Sequence, residues 1–355
     1  MSLPTSIKFL FESGHRAVSA DNSQPWLFTW NGEKILISYN IERAPKSYFL
    51  PDGIASLLSF GSVIENMTQA ANSIDLKIEW IIQPINTDKY TFAEGIIIHN
   101  GVLEKANYGH DLFKRHTNRF PFKNKLLPSD ALEFLKNEKE GKAYSIVIDK
   151  KYKINEVAKL VRDSSKIRFL TKEIHDWFHK HLHFKASEVD KGSGIDVKTM
   201  NLPFGGVTFM KLTKPWKCLN LLSKFGIGNF LANQEQIPIK NAPTLIAIIG
   251  EKGFKEGISA GILMQRIWIK LNTIGIAVQP FFVITDVLDR HNENKVPPCF
   301  KDLANSISKE NKRMFNLKES EKLVMLLRVG YPKIDPIKAK RIPLNLVYKD
   351  VSSKN

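Results

Sequence analysis

Cysteine is nearly absent: the chain of 355 residues carries two, Cys218 and Cys299. This excludes a disulfide framework and any four-cysteine zinc or iron–sulfur site, and it agrees with a reducing cytoplasm, the expected location. Long apolar runs are missing as well. Stretches such as 242–249 are strand-sized and fall short of the ~18 residues a membrane helix needs. Residues 1–13, with Lys8, Glu12 and no apolar run, do not read as a signal sequence. The net charge is +16, but Lys and Arg are interspersed with Asp and Glu over most of the chain, and no zinc-finger, RNA-binding aromatic or leucine-zipper pattern accompanies them. Neither nucleic acid nor a membrane is therefore expected as a partner. With no GxGxxG or Walker phrase, a dinucleotide has no Rossmann domain of its own to occupy.

What is present is ordinary globular material, with 43% hydrophobic and 25% charged residues. The length exceeds what one core usually supports, so two domains or two packed halves are expected. Residues 26–39 read as a β-hairpin around Asn31-Gly32. Leu57, Phe60, Ile64, Met67, Ala71 and Ile74 recur at steps of three and four, the stripe of an amphipathic helix, and a strand follows at 76–80. That unit has a second copy: GSVIENMTQAANSIDLKI (61–78) aligns without gaps with GILMQRIWIKLNTIGIAV (261–278), and Gly61/Gly261, Asn72/Asn272 and Ile74/Ile274 are identical.

Between the copies, 108–122 is basic and turn-rich and marks the passage from a half at 1–107 to one at 108–355. A helix is expected from Pro128 to about Leu135 with Ser129 or Asp130 as N-cap, a strand at 143–149, helices at 154–162 and 169–184, and buried strands at 242–250 and 323–330. Residues 192–233, rich in glycine, proline and aromatics, read as a long, partly irregular excursion of the kind that serves as a lid. The fold class is α+β.

Two phrases carry chemistry. SADNSQPWLF (19–28) gathers Ser19, Asn22, Ser23 and Gln24 before Pro25 and Trp26, side chains able to satisfy a planar heterocycle or hydroxyl chain; an ordinary capped turn uses the same residues. KRHTNRFPF (114–122) sets Arg115, Thr117 and Arg119 on alternate positions, which suits a phosphate and equally suits a solvated basic patch. A third cluster, HDWFHKHLHF (175–184), spaces His175 and His179 as helical metal ligands. It lacks the glutamate and third ligand of a zincin, and reads better as a helix with Ile174, Trp177, Phe178 and Leu182 inward and histidines at its rim.

The first two phrases resemble the FMN-dependent nitroreductases. Ser19, Asn22, Ser23, Gln24, Pro25 and Trp26 match the family's PS-x-x-NSQPW turn, with Val18 and Ala20 as departures. KRHTNRFPF resembles its phosphate-gripping arm, implying roles for Arg115, His116, Thr117 and Arg119. GIAVQPFF (275–282) resembles the strand that faces the flavin N5, implying contacts from Gln279, Pro280, Phe281 or Phe282. KAKRIPLNLV (338–347) resembles the family's closing R-x-P-L-x-x-V, implying Arg341 at the phosphate with Lys340 assisting. In the family the arm precedes the turn; here it follows. The resemblance therefore implies a nitroreductase-like fold with helices around antiparallel or mixed sheets, two halves packed as a pseudo-dimer, and one composite FMN pocket. It is nearest to a tandem, mycobacterial-type branch with a flavin cover, here 192–233. Hydride transfer from NAD(P)H to a nitroaromatic or quinone-type acceptor follows by the same resemblance, in a monomer or weak homodimer. The alternative is a protein that sequesters FMN.

Overall fold

The computed structural model describes residues 3–43, 49–84, 90–98 and 103–352. Alternation governs the first half. After helix α1 (Thr5–His15), Trp26, Phe28 and Trp30 of β1 (Trp26–Trp30) and Ile35, Ile37 and Tyr39 of β2 (Lys34–Tyr39) point to one buried face. The turn between them places Gly32 at φ +98°, and Asn31 Oδ1 accepts from the backbone N–H of Glu33 and Lys34. Helix α2 (Ile54–Asn72) follows, then β3 (Lys77–Ile82) and β4 (Thr91–Ile98).

The second half opens with α3 (Ser129–Asn137), β5 (Lys139–Glu140), β6 (Ala143–Ile148), α4 (Lys151–Phe169) and α5 (Lys172–His181). A small pair, β7 (Leu182–His183) and β8 (Ile195–Asp196), brackets α6 (Ala186–Val189). Next come α7 (Gly206–Thr213), α8 (Trp216–Ser223), α9 (Ile227–Lys240), β9 (Thr244–Glu251) and α10 (Phe254–Thr273). The chain closes with β10 (Ala277–Phe281), α11 (Val283–Asn292), α12 (Lys301–Phe315), β11 (Glu321–Gly330) and β12 (Tyr348–Asp350).

Two five-stranded sheets result, ordered β12-β1-β2-β4-β3 and β10-β11-β9-β6-β5. The second is antiparallel throughout, whereas the first is mixed, because β12 returns from the C-terminus to pair in parallel with β1. Each sheet has its own core; Ile258, Ile262 and Ile269 of α10 enter the first sheet's core, and Leu58 of α2 enters the second's.

The halves meet where α2 crosses α10. A Cβ on Gly61 would sit 2.1 Å from the Ile258 carbonyl oxygen and 2.8 Å from Gly261 Cα, and one on Gly261 would sit 2.5 Å from the Leu58 oxygen. Only glycine permits this approach. The contacts interchange under a shift of 200 residues: Gly61 meets Ile258 as Gly261 meets Leu58. Likewise Glu65 binds Arg266 through two hydrogen bonds of 3.1 Å, and Asn66 Oδ1 accepts from Gln265 Nε2 at 2.7 Å. Such reciprocity belongs to a two-fold interface, here within one chain. The aligned repeat is thus a physical pseudo-dimer.

Three local expectations are corrected. The N-cap of α3 is Pro128, with no side-chain cap, because its fixed φ of −67° already supplies the entry geometry. Residues 192–233 are largely helical: Gly205 and Gly226 adopt left-handed φ (+76° and +87°) as the N-caps of α7 and α9, so these glycines start helices. His175 and His179 are buried (6% and 5% exposed) instead of lying at the rim of α5, because α8 packs against that face and Trp216 meets the His175 ring. Among the described residues, no group of three or more His, Cys, Asp or Glu could hold a metal ion, and no helix is long and apolar enough to cross a membrane.

Candidate functional site

The SADNSQPW turn is built under strain. Asp21, Asn22 and Gln24 hold φ of +48°, +56° and +50°, a region costly for residues with a Cβ. Hydrogen bonds keep them there. Gln24 N donates to Ser19 Oγ at 3.0 Å, and Gln24 Nε2 donates to the Asn22 and Gly192 carbonyls at 2.9 and 2.8 Å. Gln24 Oε1 accepts from Ile342 N at 3.1 Å, so this fully buried side chain ties the turn to two distant segments. Arg43 donates to the Gln24 and Trp26 carbonyls.

Behind the turn, Trp26 Nε1 donates to His15 Nδ1 at 3.0 Å, leaving His15 Nε2 as donor to the Ile342 carbonyl at 2.7 Å. Burial, aided by the charges of Arg341, Arg43 and Arg16, pushes the His15 imidazole down to about 4. The ring is a neutral brace.

The arm from the second half reaches this place along α10. His116 N donates to Asn272 Oδ1, and Trp268 Nε1 donates to the His116 carbonyl, both at 2.8 Å. Arg115 lies over the Trp268 ring at 5.1 Å and donates to the Arg16 carbonyl at 3.0 Å. Arg341 donates to that carbonyl at 3.2 Å, to Ala17 O at 2.7 Å and to Asn22 Oδ1 at 2.8 Å. Among the described residues, neither guanidinium has a carboxylate within 4.0 Å, and Arg115 Nε and Nη1 are buried without a partner. Burial and neighbouring positive charge depress both arginines, Arg115 to about 10 and Arg341 well below the usual range. Both residues are half-buried, and a cation partly withdrawn from water without counter-charge is costly. An anion would relieve that cost.

The remaining expected residues divide. Arg119 donates to Thr199 Oγ1 at 3.3 Å and feels the charges of Asp21 and Glu235, and Thr117 stands half-buried between the arginines. The His116 ring bonds the Lys114 carbonyl. Lys340 pairs with Asp190 at the surface, and only its carbonyl, accepting from Asn22 Nδ2, belongs to the turn. In β10, Val278 accepts from Asn118 N at 2.9 Å across the strand's open edge. By parity, Gln279 and Phe281 turn their amides to β11, Pro280 faces the open edge without an N–H, and Phe282 follows at the start of α11. Gln279 Oε1 is buried without a partner, Phe281 is buried in the cluster that holds Val157 and Ile284, and Phe282 packs against the one that holds Trp268 and Leu271.

The segment over the turn is narrower than 192–233. Gly192 O accepts from both Asn22 and Gln24, and a Cβ on Gly192 would fall 2.2 Å from Arg341 C. Phe204 and Phe225 cover nothing, being 109% and 82% exposed, and Trp216 meets the His175 ring edge-on. A cleft of 340 Å³ among Arg162, Lys166, Asn229 and Leu303 involves none of the turn or arm residues. Sequence reasoning missed His15, Arg43 and Trp268, whose roles arise from tertiary approach and leave no local signal.

No protein-family model matches the chain, and no curated protein does. Solved structures similar to part of it include a nitroreductase with bound FMN from Bacteroides fragilis NCTC 9343, with 13% identity, 64% of this chain and 93% of that one covered, and TM-score 0.33. The FMN- and NADPH-dependent nitroreductase NfnB of Sphigopyxis sp. strain HMH has 15% identity, coverage of 68% and 98%, and TM-score 0.38. The FMN-dependent nitroreductase NfnB of Mycobacterium smegmatis, in complex with NADPH, has 11% identity, coverage of 67% and 95%, and TM-score 0.38.

Proposed function

We propose that the chain holds one FMN where its halves meet, as in the tandem, mycobacterial-type nitroreductases. In this reading, residues 1–107 supply the turn and 108–355 the arm. It acts as an oxidoreductase taking hydride from NAD(P)H and reducing a nitroaromatic, quinone or similar acceptor. The observation carrying this is the convergence of Arg115 and Arg341 on one carbonyl, with Arg115 Nε and Nη1 buried and unpartnered. This donor set fits a phosphate.

Arg115 and Arg341 would hold the phosphate, with Arg119 and Thr117 beside them. Ser19, Asn22 and Gln24 would serve the polar chain and ring edge, Asn22 and Gln24 by exchanging their present bonds to Gly192 and the 340–342 backbone. His116 acts through its backbone, which aligns the arm on α10, and the open edge at Pro280 and Phe282 would border the ring. When bound, FMN supplies the redox chemistry, so no side-chain acid or base is required.

A second reading, sequestration without turnover, is favoured by the clasp of Asn22 and Gln24 on Gly192 and by the Arg119 bond to Thr199. Stopped-flow mixing of flavin-loaded protein with NADH and NADPH separates the two. Rapid bleaching supports the oxidoreductase; a flavin that neither nucleotide bleaches supports sequestration.

A further inference from the structure

The helical layer α7–α8–α9 carries a charge pattern unlike the rest of the chain. Residues 197–234 contain five lysines and no aspartate or glutamate, and the one acid of α9, Glu235, is paired with Arg168 at 3.0 Å. All five, Lys198, Lys211, Lys214, Lys217 and Lys224, are exposed. The three exposed phenylalanines of the described residues, Phe204, Phe225 and Phe230, also lie here, with Leu212 at 67% and Leu221 at 57% exposure.

The two most exposed of these apolar side chains share one design. Phe204 and Phe225 each precede a left-handed glycine, Gly205 or Gly226, that starts the next helix, and a Cβ on either glycine would meet nothing within 4 Å. Each aromatic is therefore carried outward on a turn with open space around it. Since α7 packs on α8 and α8 on α9, both turns belong to one layer. Soluble surfaces rarely gather this much apolar side chain unless something covers it.

We propose that this layer docks on the headgroup region of a membrane containing anionic lipids, with Phe204, Phe225, Leu212 and Leu221 entering the interface and the lysines meeting lipid phosphates. Charge complementarity selects the partner: five exposed lysines, beside a single acid, Glu235, that is already paired with Arg168, call for a polyanionic surface. The apolar side chains select a bilayer over a nucleic acid, which would leave the leucines unmatched. A second copy would bring like charges together. The sequence-based expectation of no membrane partner rested on the lack of a spanning run and on charges interspersed over most of the chain; residues 197–234 depart from that mixing. The proposal is independent of the flavin reading.

The test is co-sedimentation of the full chain with vesicles of phosphatidylcholine alone and of phosphatidylcholine with phosphatidylglycerol. Binding to the anionic vesicles is expected to exceed binding to the neutral ones by about tenfold or more, and to weaken in high salt. Phe204→Glu/Phe225→Glu should abolish it with an unchanged melting temperature, since both positions are exposed. Lys217→Glu/Lys224→Glu gives a second readout should the first variant misfold. Protein that stays in the supernatant with both vesicles overturns the proposal. So does sedimentation that ignores lipid charge, or a dimer in ultracentrifugation that the phenylalanine substitutions dissociate.

Discussion

Arg115 and Arg341, one from the arm and one from the closing segment, donate to the same oxygen, the carbonyl of Arg16, at 3.0 and 3.2 Å. These two half-buried cations sharing a neutral acceptor are the ground for the proposed anion site. Arg115→Ala and Arg341→Ala should each weaken FMN binding by roughly 2–5 kcal/mol, the cost of removing one partner of a buried charge pair. Riboflavin binding should change little in the same variants. Equal losses for both ligands, measured by fluorescence titration, would place the phosphate elsewhere.

Without ligand the sign reverses. Arg115→Met removes a buried, incompletely paired cation while keeping bulk over Trp268, so the ligand-free variant should equal or exceed the parent in stability. Urea unfolding with FMN stripped away checks this, and a lower midpoint would show that the arginine is structural.

Gly192 combines φ +78° with a Cβ position 2.2 Å from Arg341 C. Gly192→Ala should therefore lift the segment from Asn22 and Gln24. In flavin-loaded protein the expected result is faster FMN exchange, read by displacement kinetics; an unchanged rate would show that this segment does not gate the site.

His15 titrates at about 4 when folded against about 6.5 when unfolded, so protons favour the unfolded chain between these values. The stability contributed by this group is present above pH ~6.5 and falls as pH drops toward ~4, by an amount on the order of 3 kcal/mol. His179, held down to about 4 by burial and by the His175 and Lys214 charges, adds a loss of the same sign. His15→Gln should flatten part of this acid slope in unfolding midpoints. An identical slope would remove His15 from the account.

At the pseudo-two-fold, Gly261→Ala should destabilise by at least ~1–3 kcal/mol, because the added methyl meets the Leu58 backbone with no flexible side chain to yield. Thermal melting checks this: a melting temperature equal to the parent's would show that the α2–α10 crossing takes up the methyl without cost.

Much of the framework was legible because it rests on local period. The hairpin followed from alternation around Asn31-Gly32, and the paired central helices from the spacing of apolar residues and the aligned Gly61 and Gly261. The α7–α9 layer was misread because glycine and proline were taken as breakers, whereas Gly205 and Gly226 cap helices. Within the site, the turn and arm stood out as phrases. The meeting of the arm and the closing segment at Arg16, the His15 brace and the Trp268 platform depend on approaches between residues up to 327 positions apart, as between His15 and Ile342, which no local pattern encodes.

The most direct test of the central claim is flavin released from purified, FMN-reconstituted protein, identified by chromatography and quantified against polypeptide. The account predicts FMN at one per chain, because one turn and one arm complete a single pocket. A ratio near two, or a protein that stays colourless after reconstitution, would contradict it.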